Sequence, residues 1–181
     1  ELIWFTDIIP QMLNQNKKHP NCVISVGTIY HQQRETGFHP GFITDPQEAL
    51  KSMPVVTHEL QPRSYPQNGL VRTIGWVATF CALYEKKWLM DVGGWDEEMP
   101  GSWGFDDHDL LTRLRINGVN QIIDNSMEAL HQRHETLPMD KQSQAGAAND
   151  RYFTEKKLDE CKPGDERLIA NKGREWGIIK R

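Results

Sequence analysis

Two apolar runs near the start of the chain, with one helical segment between them, constrain the fold most. Leu2-Ile3-Trp4-Phe5 has the pattern of a short buried strand, and residues 22–30 are apolar and β-branched. Pro10 suits the first turn of a helix, which the sequence predicts over residues 11–18. A strand, a helix and a returning strand this close together predict a βαβ unit. We therefore expect an α/β fold with a parallel sheet covered by helices.

Length and composition exclude several classes of protein. The chain has 181 residues, of which 38% are hydrophobic and 25% charged, close to globular averages, so a disordered, collagen-like or coiled-coil chain is excluded. The formal charge is -4 and no segment forms a basic stripe, so we expect no nucleic-acid partner. We also expect no membrane span, because no apolar run reaches about 18 residues. The start of the chain lacks the pattern of a signal peptide, which favours a cytoplasmic location.

The three cysteines are far apart in the sequence and form no C-x-x-C pair. This spacing argues against a disulfide framework and against a zinc knuckle. Cys22 and Cys81 lie in apolar runs, so we expect both thiols to fill the core.

The most informative segment combines a Gly-rich loop, residues 93–104, with a helix predicted over residues 106–116. Counting back by three and four from its leucines puts Asp107 on the buried face of this helix. A carboxylate in a first helical turn is stabilised as the anion, and the loop lets a substrate approach closely, which are the properties of a general base. The alternative is that Asp106 and Asp107 only cap the helix. Asp109 is expected to pair with Arg113 at the i, i+4 spacing.

Two strand-like runs, residues 119–123 and 127–130, follow this helix and predict a closing hairpin. His131 and His134 come directly after them, in an H-x-x-H arrangement without the H-E-x-x-H pattern or helix of a zinc protease. The residues alone leave open whether these histidines bind a metal or are a surface pair.

A resemblance to a known family rests on Gly93-Gly94-Trp95-Asp96-Glu97 and on Trp103-Gly104-Phe105-Asp106-Asp107-His108-Asp109-Leu110. Together they resemble the acceptor loop and catalytic helix of GT-A glycosyltransferases, above all the inverting family-2 enzymes and the C-terminal part of the β-1,4-galactosyltransferases. Those families carry Gly-Gly-Phe-Asp-Glu and then Gly-x-Glu-Asp. Trp95 here replaces the phenylalanine and Asp106 the glutamate, so both changes keep the chemical type.

The resemblance implies a role for each matching residue. The second acid of the pair is the family's catalytic base, which corresponds to Asp107, and the first binds the acceptor sugar, which corresponds to Asp106. Trp103 matches the loop aromatic that packs on sugar, and the resemblance places Gly94 and Trp95 in the same acceptor site. The implied partners are a nucleotide-sugar donor, with a UDP-sugar expected, and a carbohydrate acceptor.

The resemblance also implies a divalent metal. Phe5-Thr6-Asp7-Ile8-Ile9-Pro10 resembles the family's Asp-x-Asp-Ile-x-Pro, with Asp7 as the second acid and Phe5 in place of the first. The family places a metal-ligating histidine after the strand that follows the catalytic helix, which corresponds to His131, with His134 as the second choice. Carboxylate, imidazole and diphosphate oxygens suit Mn²⁺ or Mg²⁺.

The implied fold is a GT-A domain, the Rossmann-like mixed sheet flanked by helices of the nucleotide-diphospho-sugar transferases. Residues 1–160 correspond to its C-terminal part, which carries the metal, acceptor and catalytic residues, and residues 161–181 are expected to form a tail. We expect the nucleotide-binding half to be missing from this chain, through truncation or loss. The leading hypothesis is therefore an inverting glycosyltransferase module. The alternatives are a carbohydrate-binding or regulatory remnant and, on spacing alone, a metal-dependent hydrolase using His131, His134 and Asp107.

Overall fold

The computed structural model describes residues 2–4, 7–32, 55–59, 70–73, 81–131 and 137–174. Its strands are β1 (Leu2–Trp4), β2 (Cys22–Gln32), β3 (Val55–Glu59), β4 (Leu70–Thr73), β5 (Ala82–Leu83) and β6 (Asn120–His131). Its α-helices are α1 (Ile8–Lys18), α2 (Lys86–Val92), α3 (Asp106–Ile116) and α4 (Met139–Glu155). Two short 3-10 turns follow, at Leu158–Glu160 and Glu166–Leu168.

The described strands form one mixed sheet around a parallel pair, β2 and β6. Short antiparallel strands flank this pair: β4 and β1 lie along β6, and β5 and β3 lie along β2. The mixed sheet and the helices confirm the α/β class, while the GT-A fold stays a prediction.

The predicted βαβ unit is wrong. β1 pairs with β6 in the antiparallel sense, with Leu2 opposite His131 and Trp4 opposite Ala129. Because β2 is parallel to β6, β1 runs opposite to β2 and is separated from it by β6. Apolar patterning shows that a segment is a strand, but it does not encode which strand will be its partner. For β1 that partner is more than a hundred residues away in the sequence.

The hairpin predicted from residues 119–123 and 127–130 is wrong as well, because residues 120–131 form the single strand β6. The register against β2 shifts in the middle of the strand, where Val26 pairs with Asp124 but Thr28 pairs with Glu128. A carboxylate oxygen of Asp124 accepts hydrogen bonds from the backbone N–H (2.9 Å) and the hydroxyl (2.5 Å) of Ser126. The polar residues that suggest a turn thus form a bulge within one strand.

Helices cover both faces of the sheet, because alternate residues of β2 point to two separate cores. Helix α1 contributes to one core and helices α2 and α3 to the other, where Val23 is the contribution of β2. Cys22 is buried in the α1 core and Cys81 packs against it, as expected of both thiols. The α1 core consists of Ile8, Met12, Cys22, Ile24, Val26, Ile122, Met127 and Ala129. The α2–α3 core consists of Val23, Trp88, Val92, Leu110, Leu111, Leu114 and Val119.

The two central strands are each preceded by a helix through a short connection. Only residues 19–21 separate α1 from β2, and only residues 117–119 separate α3 from β6. Such short connections turn the chain back on itself, so each helix runs antiparallel to the strand that follows it. Because β2 and β6 are parallel, the N-termini of α1 and α3 point to the same end of the sheet. This is the end towards which both strands run, where ligands bind in open α/β sheets.

None of the described helices is both long and apolar enough to span a bilayer.

Candidate functional site

The loop 93–105 connects α2 to α3 and begins with two left-handed glycines. Gly93 ends α2 with φ of 74°, and Gly94 follows with φ of 71°. A Cβ at Gly93 would lie 2.0 Å from the carbonyl oxygen of Ala170, so neither the conformation nor the space admits a side chain. The loop therefore starts in close contact with residues near the C-terminus.

A buried arginine, Arg113 of α3, binds the backbone at the start of the loop. The guanidinium of Arg113 is fully buried and donates from Nε to Asp109 (2.7 Å), which confirms the predicted i, i+4 pair. It also donates to the backbone carbonyls of Val92 (2.6 Å) and Gly94 (2.7 Å). These three bonds use the fork geometry of a guanidinium, and the two to carbonyls join the end of α2 and the start of the loop to α3.

Lys156, just after α4, links the loop to the same buried pair. Its ammonium contacts the second carboxylate oxygen of Asp109 and donates to Asp96 at 2.7 Å. The hydroxyl of Tyr152 also donates to Asp96, at 3.0 Å. Burial, the largest single influence, raises the pKa of Asp96. The hydrogen bonds from Lys156, from the backbone of Glu98 and from Tyr152 together outweigh it and hold this pKa below its ordinary value.

Two asparagines bind the backbone of the loop. Asn171 donates to the carbonyls of Gly93 (2.8 Å) and Trp95 (2.6 Å) and accepts from the N–H of Glu97 (3.1 Å). Asn149 of α4 binds the second half of the loop in the same way, at residues 101–104. The loop is thus fixed by side chains from α3, from α4 and from the C-terminal segment.

This anchored loop presents two tryptophans to solvent. Trp95 is 41% exposed and Trp103 is 52% exposed, although large aromatic side chains are normally well buried. The ring of Tyr84 meets Trp95 edge to face, with centroids 5.7 Å apart. The indole of Trp103 lies over Gly146 of α4, where a Cβ would be 3.4 Å from the ring. Both rings therefore pack against neighbouring residues on one side and expose the other side to solvent.

The predicted acids follow directly at the start of α3. The N-cap residue is Phe105, in a left-handed conformation and without a side-chain capping bond, so neither aspartate is the N-cap. Asp106 is exposed and Asp107 is half-buried, both in the first turn, where the helix N-terminus favours a negative charge. The buried face predicted for Asp107 is thus found in part: full burial begins at Asp109.

An aromatic contact fixes the start of α3 against α4. The ring of His108 stacks on Phe105, with centroids 5.8 Å apart, and lies 4.6 Å from Phe153 of α4. Burial, reinforced by the charge of Arg115, lowers the pKa of His108 below its ordinary value, which favours the neutral ring.

The predicted metal ligands are described only in part. Asp7 is exposed at the start of α1 and makes no side-chain capping bond, so its carboxylate has the exposure that a metal ligand needs. His131 is the last residue of β6, but its side chain, like the whole of Phe5 and His134, lies outside the described residues. Among the side chains that are described, no three metal-binding groups lie together.

The register of β1 bears on this metal prediction. Leu2 lies opposite His131, and β1 then runs back along β6, so that Trp4 lies opposite Ala129. Two residues of strand already cover about 7 Å by Trp4. β1 runs away from His131 in the direction of Asp7, so strand pairing does not itself bring these two residues together.

An open, polar pocket of about 270 Å³ lies elsewhere, between the first half of the loop and the C-terminal segment. Acidic and basic side chains are equally numerous in its lining, so it favours neither anions nor cations. The charged lining residues are Asp96, Glu98, Glu166, Lys156, Arg167 and Lys172.

Sequence reasoning found the exposed residues of this site but not the residues that hold them. Lys156, Asn149 and Asn171 stand in polar segments without a pattern that indicates burial. Part of the predicted tail is also packed, since Leu168 is fully buried and the N–H of Ala170 donates to Val92 at 2.9 Å. Only the folded arrangement shows these roles.

Comparison with known proteins gives no independent identification: no family model, curated protein or solved structure matches this chain.

Proposed function

We propose that this protein is an inverting glycosyltransferase that transfers a hexose from a nucleotide sugar, expected to be a UDP-sugar, to an acceptor hydroxyl. The observation that carries the proposal is the loop 93–105. It is anchored by buried side chains, displays Trp95 and Trp103, and leads directly into the helix turn that carries Asp106 and Asp107.

The loop has the properties of an acceptor platform. The C–H face of a sugar ring is apolar and packs on an indole, while its hydroxyls need polar partners. Trp103 and Trp95 offer exposed ring surface, and Asp106 offers an exposed carboxylate immediately after the loop. Gly94, by contrast, is buried and its carbonyl accepts from Arg113, so it shapes the platform and does not face the ligand.

Asp107 is the proposed general base. As the acceptor oxygen forms its bond to the anomeric carbon, the bond from that carbon to the diphosphate breaks, and the hydroxyl proton passes to the Asp107 carboxylate. The nucleoside diphosphate leaves with the bonding electron pair. One displacement at the anomeric carbon inverts its configuration. The half-buried position restricts the side chain, and the N-terminal end of a helix attracts negative charge to its first turn.

Asp7, His131 and His134 are the proposed ligands of a Mn²⁺ or Mg²⁺ ion. When bound, the ion would offset the charge that develops on the departing diphosphate. The carboxylate and imidazole donors of this set fit such an ion in their chemistry.

A carbohydrate-binding or regulatory remnant is the second candidate. It is favoured by the same exposed platform, because stacking of a sugar on the two indoles needs no donor substrate. It is also favoured by Phe5, which stands where the GT-A glycosyltransferases carry an acid. Titration calorimetry with UDP, with and without Mn²⁺, separates the two candidates. A transferase binds UDP in a metal-dependent manner, whereas a remnant releases no such heat.

The direct test is transfer itself. The protein is incubated with Mn²⁺, a set of UDP-hexoses, and β-galactosides and N-acetylglucosaminides as acceptors. The anomeric configuration of any product is then read by NMR. We expect a product whose linkage is inverted relative to the donor. A product with retained configuration would contradict the mechanism, and absence of transfer across the whole set would contradict the proposed function.

A further inference from the structure

One buried asparagine makes four hydrogen bonds to the loop backbone. Asn149 is 1% exposed, and its Oδ1 accepts from the N–H of Gly101 at 2.6 Å. Its Nδ2 donates to the carbonyls of Gly101 (3.1 Å), Trp103 (3.2 Å) and Gly104 (2.7 Å). A side-chain amide thus satisfies the backbone groups that a regular helix or strand would satisfy internally.

The same face of α4 also carries the indole of Trp103. The ring lies over Gly146, which precedes Asn149 by three residues and therefore shares its face of the helix. The loop approaches this face so closely that a Cβ at Gly101 would lie 2.4 Å from the carbonyl oxygen of Ala145. Asn149 thus binds the backbone around Trp103, while the ring of Trp103 packs on α4 at Gly146.

We propose that Asn149 is a positioning residue for the acceptor and acts through Trp103. This inference rests on the proposed function. By holding the carbonyls of Trp103 and Gly104, Asn149 keeps the sugar-stacking ring at a constant distance from the start of α3, only three residues further on. When the platform is preformed, acceptor binding does not include the entropy cost of ordering a loop. Loss of Asn149 is therefore expected to weaken acceptor binding.

The test is a comparison of Asn149→Ala and Asn149→Asp with Lys141→Ala, a control at an exposed position of the same helix. Asn149→Asp keeps the side-chain oxygen that accepts the hydrogen bond from the N–H of Gly101. It replaces the NH₂ group, however, with a second carboxylate oxygen that faces three carbonyls. We expect both variants to raise the acceptor KM about tenfold or more, with the donor KM and metal-dependent UDP binding unchanged. The control is expected to leave the acceptor KM unchanged.

The kinetic outcomes separate this inference from the proposed function. If the unmodified protein transfers hexose and both Asn149 variants keep its acceptor KM, this inference alone is overturned. A proportional rise in donor KM also overturns it, because Asn149 would then support the whole domain. If the unmodified protein transfers nothing, the proposed function fails and the inference fails with it.

A second measurement covers the case in which the Asn149 variants do not fold. Amide hydrogen exchange in the unmodified protein reports on the Gly101 N–H, which bonds to Asn149. Protection of this amide close to that of α4 supports a preformed loop. Exchange at the rate of an open loop overturns the inference.

Discussion

At the scale of single residues, a network of buried charged side chains anchors the loop 93–105, which displays the exposed tryptophans. Asp109 and Arg113 are fully buried on α3, and Lys156 joins them to Asp96 in the loop. Buried charges are costly to desolvate, and such a group is stable only when its partners are complete. Each member of this network is therefore expected to be more sensitive to substitution than any exposed charge.

The first prediction concerns Arg113. Arg113→Ala leaves the carbonyls of Val92 and Gly94 without this donor and removes a cation that binds Asp109. We expect the free energy of unfolding to fall by about 3–5 kcal/mol, measured by urea denaturation. Lys87→Ala removes an ion pair of the same i, i+4 spacing that is exposed, and about 0–1 kcal/mol is expected there. Equal losses for the two variants would contradict the account.

The second prediction concerns pH. The pKa of Asp96 is lower in the folded protein than its ordinary value of 3.8, so the carboxylate stabilises the fold above that value. This contribution is lost as pH falls through 3.8 towards the lower folded pKa. Asp96→Asn lacks it at every pH. We expect the stability difference between the two proteins to be largest near neutral pH and to shrink below about pH 4. Thermal unfolding across this range measures it, and a constant difference would show that Asp96 is not stabilised as an anion.

At the scale of elements, α4 supports the loop through its smallest residues. Gly146 leaves room for the indole of Trp103, and the lack of a side chain at Gly101 lets the loop backbone approach Ala145. Glycine costs stability within a helix, and the contact with the ring does not require it, because a Cβ at Gly146 would lie at ordinary contact distance.

The third prediction separates these two glycines. A Cβ at Gly146 would meet the Trp103 ring at 3.4 Å, which is ordinary contact, so Gly146→Ala is expected to raise the free energy of unfolding by about 0.5–1 kcal/mol. At Gly101 the new carbon would lie 2.4 Å from a backbone oxygen, and a loss of about 1–3 kcal/mol is expected. Thermal unfolding of both variants checks this. Destabilisation by Gly146→Ala would mean that the ring does not rest where the structure has it.

The sequence predicted the elements of this fold better than their partners. Helix α3 begins and ends at the predicted residues, and β2 extends the predicted run by two residues, because local apolar spacing encodes helix and strand directly. The partner of β1 and the bulge in β6 depend on segments far apart, which periodicity does not report. In the site, the sequence motif identified two residues close together in the chain, Trp103 in the loop and Asp107 in the first turn of α3. Asn149, which binds the loop backbone at Trp103, could not be found from the sequence, because a polar residue in a polar helix gives no signal of burial.

At the scale of the whole molecule, the candidate site draws on distant parts of the chain. The loop and α3 come from the middle of the sequence, whereas Asn149, Lys156 and Asn171 come from its last third. The parallel strands β2 and β6 place the starts of α1 and α3 at the same end of the sheet. Asp7 and Asp107 therefore stand at helix starts that point towards the same end of the sheet, on its two opposite faces.

The measurement that bears most directly on this account is the initial rate of hexose transfer by Asp107→Asn. Asparagine keeps the size of the side chain but cannot take the acceptor proton, so we expect the rate to fall by about 10²–10⁴-fold. Metal-dependent UDP binding and thermal stability are expected to stay close to those of the unmodified protein. Asp150→Asn, at an exposed position of α4, is the matched control and is expected to keep the full rate. An Asp107→Asn variant that transfers hexose as fast as this control would contradict the assignment of Asp107 as the base.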